Sequence, residues 1–179
     1  MHTTIFNEER AAARLAEVIA LAYGIEPETA KLIGYATALH DVGKVMIPMQ
    51  IKCKPAPLTP SEFAHMKTHT LWGANILRQI PCDFGIVARK IALYHHERWD
   101  SKGYWGVNAA ELPDYVQIAA IADVYTALVS PNRQYKQSWL LNEALQHIKN
   151  GAGTHFNPAL VEVFISLSHT QREVIYAEA

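Results

Sequence analysis

Apolar residues recur at intervals of three and four along almost the whole 179-residue chain, and sustained alternation with a period of two is absent. That pattern predicts helices with one buried face, and therefore an all-α fold. The punctuation divides it into about seven helices. The first covers residues 7–23 and stops at Gly24, a natural left-handed terminal residue, and the second covers 27–40. The proline-rich GKVMIPMQIKCKPAPLTP connects them to a third helix that runs to about residue 78. Its start, Thr59-Pro60-Ser61-Glu62, combines an N-cap threonine, a first-turn proline and a glutamate that closes a capping box. Pro81 opens a fourth helix that reaches His95-His96, and a fifth spans 113–128. Two more follow, over 140–149 and 158–167, the last capped by Asn157.

Half of the residues are hydrophobic, enough for one substantial core, so residues 1–179 are expected to form a single domain. With 16 basic and 17 acidic residues the net charge is −1, which argues against a nucleic-acid polymer or a membrane surface as partner. The most apolar run, residues 115–129, is interrupted by Gln117 and Asp123 and is shorter than the roughly 18 to 20 residues that cross a bilayer. The opening MHTTIFNEER lacks a basic start followed by an apolar segment. Cys53 and Cys82 have no paired spacing and suit a reducing compartment. A cytoplasmic protein is expected.

The nine histidines carry the chemical signal through their placement. His40-Asp41 closes the second helix, His69 lies in the third, His95-His96 closes the fourth, and Asp123 sits inside the fifth. Asp123 lies in AAIADVYTALV, and a carboxylate buried in so apolar a window needs a cation or several donors. Four imidazoles and two carboxylates from four helices could satisfy one another around a pair of divalent cations. Neighbours on a helix diverge by about 100°, so His95 and His96 can both face inward only if the helix ends there. Mixed imidazole and carboxylate ligation favours iron, manganese, zinc or nickel over magnesium or calcium. His65 and His69 have zinc-protease spacing, but Met66 stands where that motif needs glutamate. His2, His147, His155 and His169 are expected to be surface or capping residues.

In order, the segments ALHDVGKVMIP, LTPSEFAHMKTHTLWGANIL, IALYHHERWDSKGYWG, IAAIADVYTALVSPNRQYK and GTHFNPALV resemble an HD-GYP domain, a branch of the HD phosphohydrolase superfamily. The resemblance covers nearly the whole chain. It implies an all-α HD-domain bundle that hydrolyses cyclic di-GMP or a close cyclic dinucleotide at a centre of two divalent metals, iron or manganese before zinc or nickel. The implied ligands are His40, Asp41, His69, His95, His96 and Asp123, the residues the chemistry also selects. Asp41 is expected to bridge, because a carboxylate has two oxygens; His40 and Asp123 would complete one site, and His69, His95 and His96 the other. Lys44 is implied beside the reacting phosphate, with Arg133, Lys136 and Tyr104 as substrate contacts.

Several positions depart from that pattern. Ser101 replaces the first glycine of the usual HHExxDGxGYP loop and Trp105 its proline, which removes a fixed φ and adds aromatic surface. Upstream, the positions of a family histidine and a companion glutamate hold Glu8 and Thr4. Threonine argues against a third metal, while Glu8 is either an oxygen ligand or a solvated residue of the first turn. Thr126 and Asn157 stand where aspartates are common. The alternatives are an HD-type hydrolase for another nucleotide and a metal-stabilised, non-catalytic signalling module that offers a partner surface on the Gly103-Tyr104-Trp105 loop.

Overall fold

The structure, a computed structural model, describes residues 2–130 and 139–173. It is all-α, with ten helices and no strand among the described residues. These are α1 (His2–Ala22), α2 (Pro27–Thr37), α3 (Met49–Lys52), α4 (Pro60–Lys67), α5 (His69–Leu77), α6 (Asp83–Tyr94), α7 (Asp114–Val129), α8 (Leu141–Asn150), α9 (Pro158–Ser166) and α10 (His169–Glu173). No helix among the described residues is long and apolar enough to cross a membrane.

The sequence signals hold where they are local. At the end of α1, Gly24 has φ +93°, Ile25 N donates to Ala20 O and Gly24 N to Leu21 O, the paired bonds of a left-handed helix stop. Thr59 and Glu62 exchange both bonds of the capping box. Asn157 Oδ1 accepts from Ala159 N and caps α9.

The surplus over seven comes partly from one break. The expected third helix divides at Thr68, whose amide and hydroxyl both donate to His65 O, 3.0 and 2.7 Å away, tightening the turn that closes α4. His69 therefore opens α5 instead of lying mid-helix. The second helix likewise ends at Thr37, before His40, because three-residue bonds from Leu39 N to Ala36 O and from His40 N to Thr37 O wind the chain more tightly. Pro81 precedes the helix it was expected to open; extended Cys82 is the N-cap and Asp83 the first helical residue.

Helix α7 is the axis of the packing. Ile118, Ile121 and Tyr125 join Leu15 and Ile19 of α1, Ile33 of α2 and Phe164 of α9 in the larger core. Val116 and Ala119, on its other side, meet Ile91 and Ala92 of α6 and Leu77 of α5. Each fully buried leucine or isoleucine contributes about 1.5–3 kcal/mol. Asp123, the one carboxylate inside this helix, keeps 20% of its side chain exposed.

Candidate metal centre

Three helix ends and one helix flank deliver the ligating types. After α2, the turn carrying His40 and Asp41 runs into a tight helical turn, Val42–Met46, which seats on the start of α5. Only glycine permits that seating: a Cβ on Gly43 would lie 1.9 Å from the carbonyl oxygen of His69. His95 and His96 follow Tyr94, the last residue of α6. Because the helix stops there, both rings reach the cluster, with centroids 4.0 Å apart.

The backbone sets the tautomers. His40 Nδ1 lies 2.7 Å from Thr37 O, His69 Nδ1 2.8 Å from Met66 O, and His95 Nδ1 3.1 Å from the carbonyls of Ile91 and Ala92. A carbonyl only accepts, so each Nδ1 carries the hydrogen, and it is Nε2 that each ring turns inward, the atom whose lone pair a metal would take.

Those lone pairs meet the carboxylates. Asp41 Oδ1 is 3.2 Å from His69 Nε2 and 3.7 Å from His95 Nε2, while Asp41 Oδ2 is 3.2 Å from His40 Nε2 and bonds to Lys44. Asp123 Oδ1 lies 3.4 Å from His40 Nε2. The Nε2 atoms of His69 and His95 face each other at 3.5 Å, and Asp41 Oδ1 is buried without a hydrogen-bond partner. Acceptors converging on acceptors repel unless a cation lies between them, so this donor set fits a divalent metal. Ligating atoms of Asp41, His69, His95 and His96 lie within 4.8 Å of one another, as do those of His40, His95 and Asp123. All six expected residues are thus brought together, and His95 is common to both groups.

Burial and charge oppose each other here. Burial alone would raise the Asp41 carboxyl, but Lys44 and His40 hold it well below the usual range. Burial would depress His40, yet Asp41 and Asp123 carry it well above the ordinary imidazole value. Burial pushes His95 well down and His96 to about 3. Asp123 is lowered, His40 outweighing its burial. Lys44 is raised, burial being outweighed by Asp41.

A cavity of about 730 Å³ opens beside the cluster, within the usual size of small-molecule sites. Lys44 and Tyr104 line it, as expected; the Tyr104 ring lies 4.3 Å from that of His96. Arg133 and Lys136 lie outside the described residues. Glu8 also lines the cavity and accepts a bond from Ser130 Oγ at the end of α7. Glu9, Lys52 and Met66 were missed by sequence reasoning and share the wall. Burial raises the Glu9 carboxyl, and the Lys52 side chain has no hydrogen-bond or ion-pair partner among the described residues. Thr126 lines the cavity too, but its hydroxyl donates to Ala122 O on its own helix.

The loop after His96 is tied down by Glu97, which is 2% exposed. Its Oε1 accepts from Trp105 N and its Oε2 from Val107 N, both at 2.8 Å. Ser101, at the first glycine position, has φ +60°, a left-handed conformation that costs a side-chain-bearing residue about 1–2 kcal/mol.

A family model described as HD domain matches residues 2–160. The chain is 41% identical over 147 residues to a cyclic di-GMP phosphodiesterase of Thermotoga maritima, covering 82% of this chain and 40% of that protein. It is 39% identical over 150 residues to the 3'3'-cGAMP-specific phosphodiesterase 2 of Vibrio cholerae, covering 83% of this chain and 28% of that one. The chain therefore spans less than half the length of either relative. In fold it matches an HDG"Y"P protein from Bdellovibrio bacteriovorus, with a TM-score of 0.70, 18% identity, and coverage of 90% of this chain and 51% of the other.

Proposed function

The chain belongs to the HD domain family, in its HD-GYP branch, and on that premise we propose that it is a metal-dependent phosphodiesterase that opens cyclic di-GMP, or a close cyclic dinucleotide, to a linear dinucleotide or GMP. The observation that carries the proposal is Asp41 Oδ1, buried without a hydrogen-bond partner and faced by the Nε2 atoms of His69 and His95.

His40, Asp41, His69, His95, His96 and Asp123 would hold two divalent ions, iron or manganese before zinc or nickel. When bound, such ions supply Lewis acidity at a phosphoryl oxygen and make water acidic enough to attack near neutral pH. The two oxygens of Asp41 face different neighbours, Oδ1 towards His69 and His95 and Oδ2 towards His40 and Lys44, which suits a bridging carboxylate. Lys44 neutralises charge as it grows on the phosphoryl oxygens. Lys52, on the cavity wall and without a side-chain partner among the described residues, takes phosphate charge, together with Arg133 and Lys136; arginine binds as a fork and lysine as a point charge. Tyr104 offers the substrate a ring face beside His96.

The test is metal analysis of protein prepared without oxygen, coupled to turnover of cyclic di-GMP, 3'3'-cGAMP, a linear dinucleotide and a simple phosphodiester. Bound transition metal with preferential cleavage of a cyclic dinucleotide is expected. No metal and no turnover across that panel would overturn the proposal. That outcome would favour a signalling module with a partner surface on the loop, for which one observation speaks: Trp105 leaves 41% of its surface exposed.

A further inference from the structure

Trp105 has no place among the proposed ligands or phosphate contacts, yet it makes two hydrogen bonds to the residues that directly follow His96 and His69. Its backbone N–H donates to buried Glu97, a bond that a proline in the same position cannot make. Its indole Nε1–H donates to Thr70 Oγ1 at 3.0 Å. Thr70 is fully buried and follows His69 directly. Its hydroxyl hydrogen is committed to Lys67 O, 3.0 Å away, so the oxygen presents lone pairs to the indole, which can only donate.

Between these anchors lies Tyr104, one peptide unit away from Trp105. The Tyr104 ring packs 4.3 Å from His96 and, edge-on, 6.3 Å from His69. Its other flank meets Phe63 of α4 at 5.8 Å, and its carbonyl lies 3.5 Å from Lys67 Nζ. Trp105 itself does not line the cavity; Tyr104 does.

We infer that Trp105 is a positioning residue: bound to Glu97 through its backbone and to Thr70 through its indole, it fixes Tyr104 against the imidazoles as a wall of the substrate cavity. The fixed φ of a proline is replaced by two hydrogen bonds, one of them tied to the turn that presents His69. The inference rests on the phosphodiesterase reading for its effect on substrate, and on geometry alone for its effect on the loop.

The experiment uses the metal-loaded full chain with Trp105→Phe and Thr70→Val, singly and together, and Thr70→Ser as the conservative replacement. KM and kcat for cyclic di-GMP, metal content, and amide hydrogen exchange of the peptide 103–107 are measured. Each single change should raise KM about fivefold, the worth of one hydrogen bond, and speed exchange, with kcat and metal content unchanged. The double variant should be no worse than Thr70→Val alone, because that change already removes the indole's acceptor together with the hydroxyl bond to Lys67 O, and Thr70→Ser should behave as the parent. Unchanged exchange and KM, or additive effects in the double variant, would overturn the inference. If the parent turns over nothing but exchange speeds equally in all three variants, the phosphodiesterase reading falls and the positioning role stands.

Discussion

Asp41 and Glu97 are both carboxylates withdrawn from water, yet their surroundings differ in kind. Each Glu97 oxygen receives a backbone N–H, and the loop closes around it. Asp41 keeps one oxygen without a hydrogen-bond partner and faces three imidazole nitrogens and Lys44. A satisfied buried carboxylate organises its own chain, whereas an unsatisfied one is arranged for something that arrives. Their contrast separates a residue that shapes the loop from one proposed to hold metal.

The sharpest break of that comparison is Asp41→Ala. Metal retention and turnover should both disappear, a loss of more than about 10³-fold, exceeding what one charge-stabilising donor supplies. Metal content and rate, measured together, check it, and retained turnover would sink the two-metal centre.

Acid should come next. In metal-free protein, burial holds His96 to about 3 and His155 to about 4, so the folded state binds fewer protons than the unfolded one below the ordinary imidazole value. Stability should therefore be intact above about pH 6.5 and fall towards pH 3, by an amount on the order of a few kcal/mol for His96. His40, raised by its acidic neighbours, adds no slope in that window, being protonated in both states. Denaturant melts across pH would follow this, and His96→Gln should flatten the profile.

The loop answers differently to its two departures from the usual pattern. Trp105→Pro restores the common residue but deprives Glu97 of a donor, so it should cost about 1–3 kcal/mol and lower Tm while the ligands remain. A higher Tm would show that the Glu97 bond is not what holds the loop. Ser101→Gly should act in the opposite direction and least of all, a gain of under about 1 kcal/mol, because relief of the positive φ is partly offset by the freedom glycine gains on unfolding.

Much of the site was legible because its signals are chemical. Asp123 in AAIADVYTALV announced a buried charge needing a partner, and His95-His96 at a helix end announced two rings facing one way. Glu9 and Lys52 were not legible, since a charged residue on an amphipathic or irregular segment looks the same whether it faces solvent or a cavity. The partners of Glu97 were equally hidden, because backbone amides carry no sequence label.

By itself, the sequence determined the helical period, the caps at Gly24, Thr59 and Asn157, the His-Asp and His-His pairs at helix ends and the two unusual loop positions, all properties of residues a turn or so apart. Tertiary structure alone decided that His95 lies within reach of both groups of candidate ligands and that Trp105 replaces proline with bonds to Glu97 and Thr70. Local periodicity fixes which way a side chain leaves its own helix, but a cluster whose atoms gather within 4.8 Å from residues as distant as His40 and Asp123 depends on where helices stop and how closely they pack.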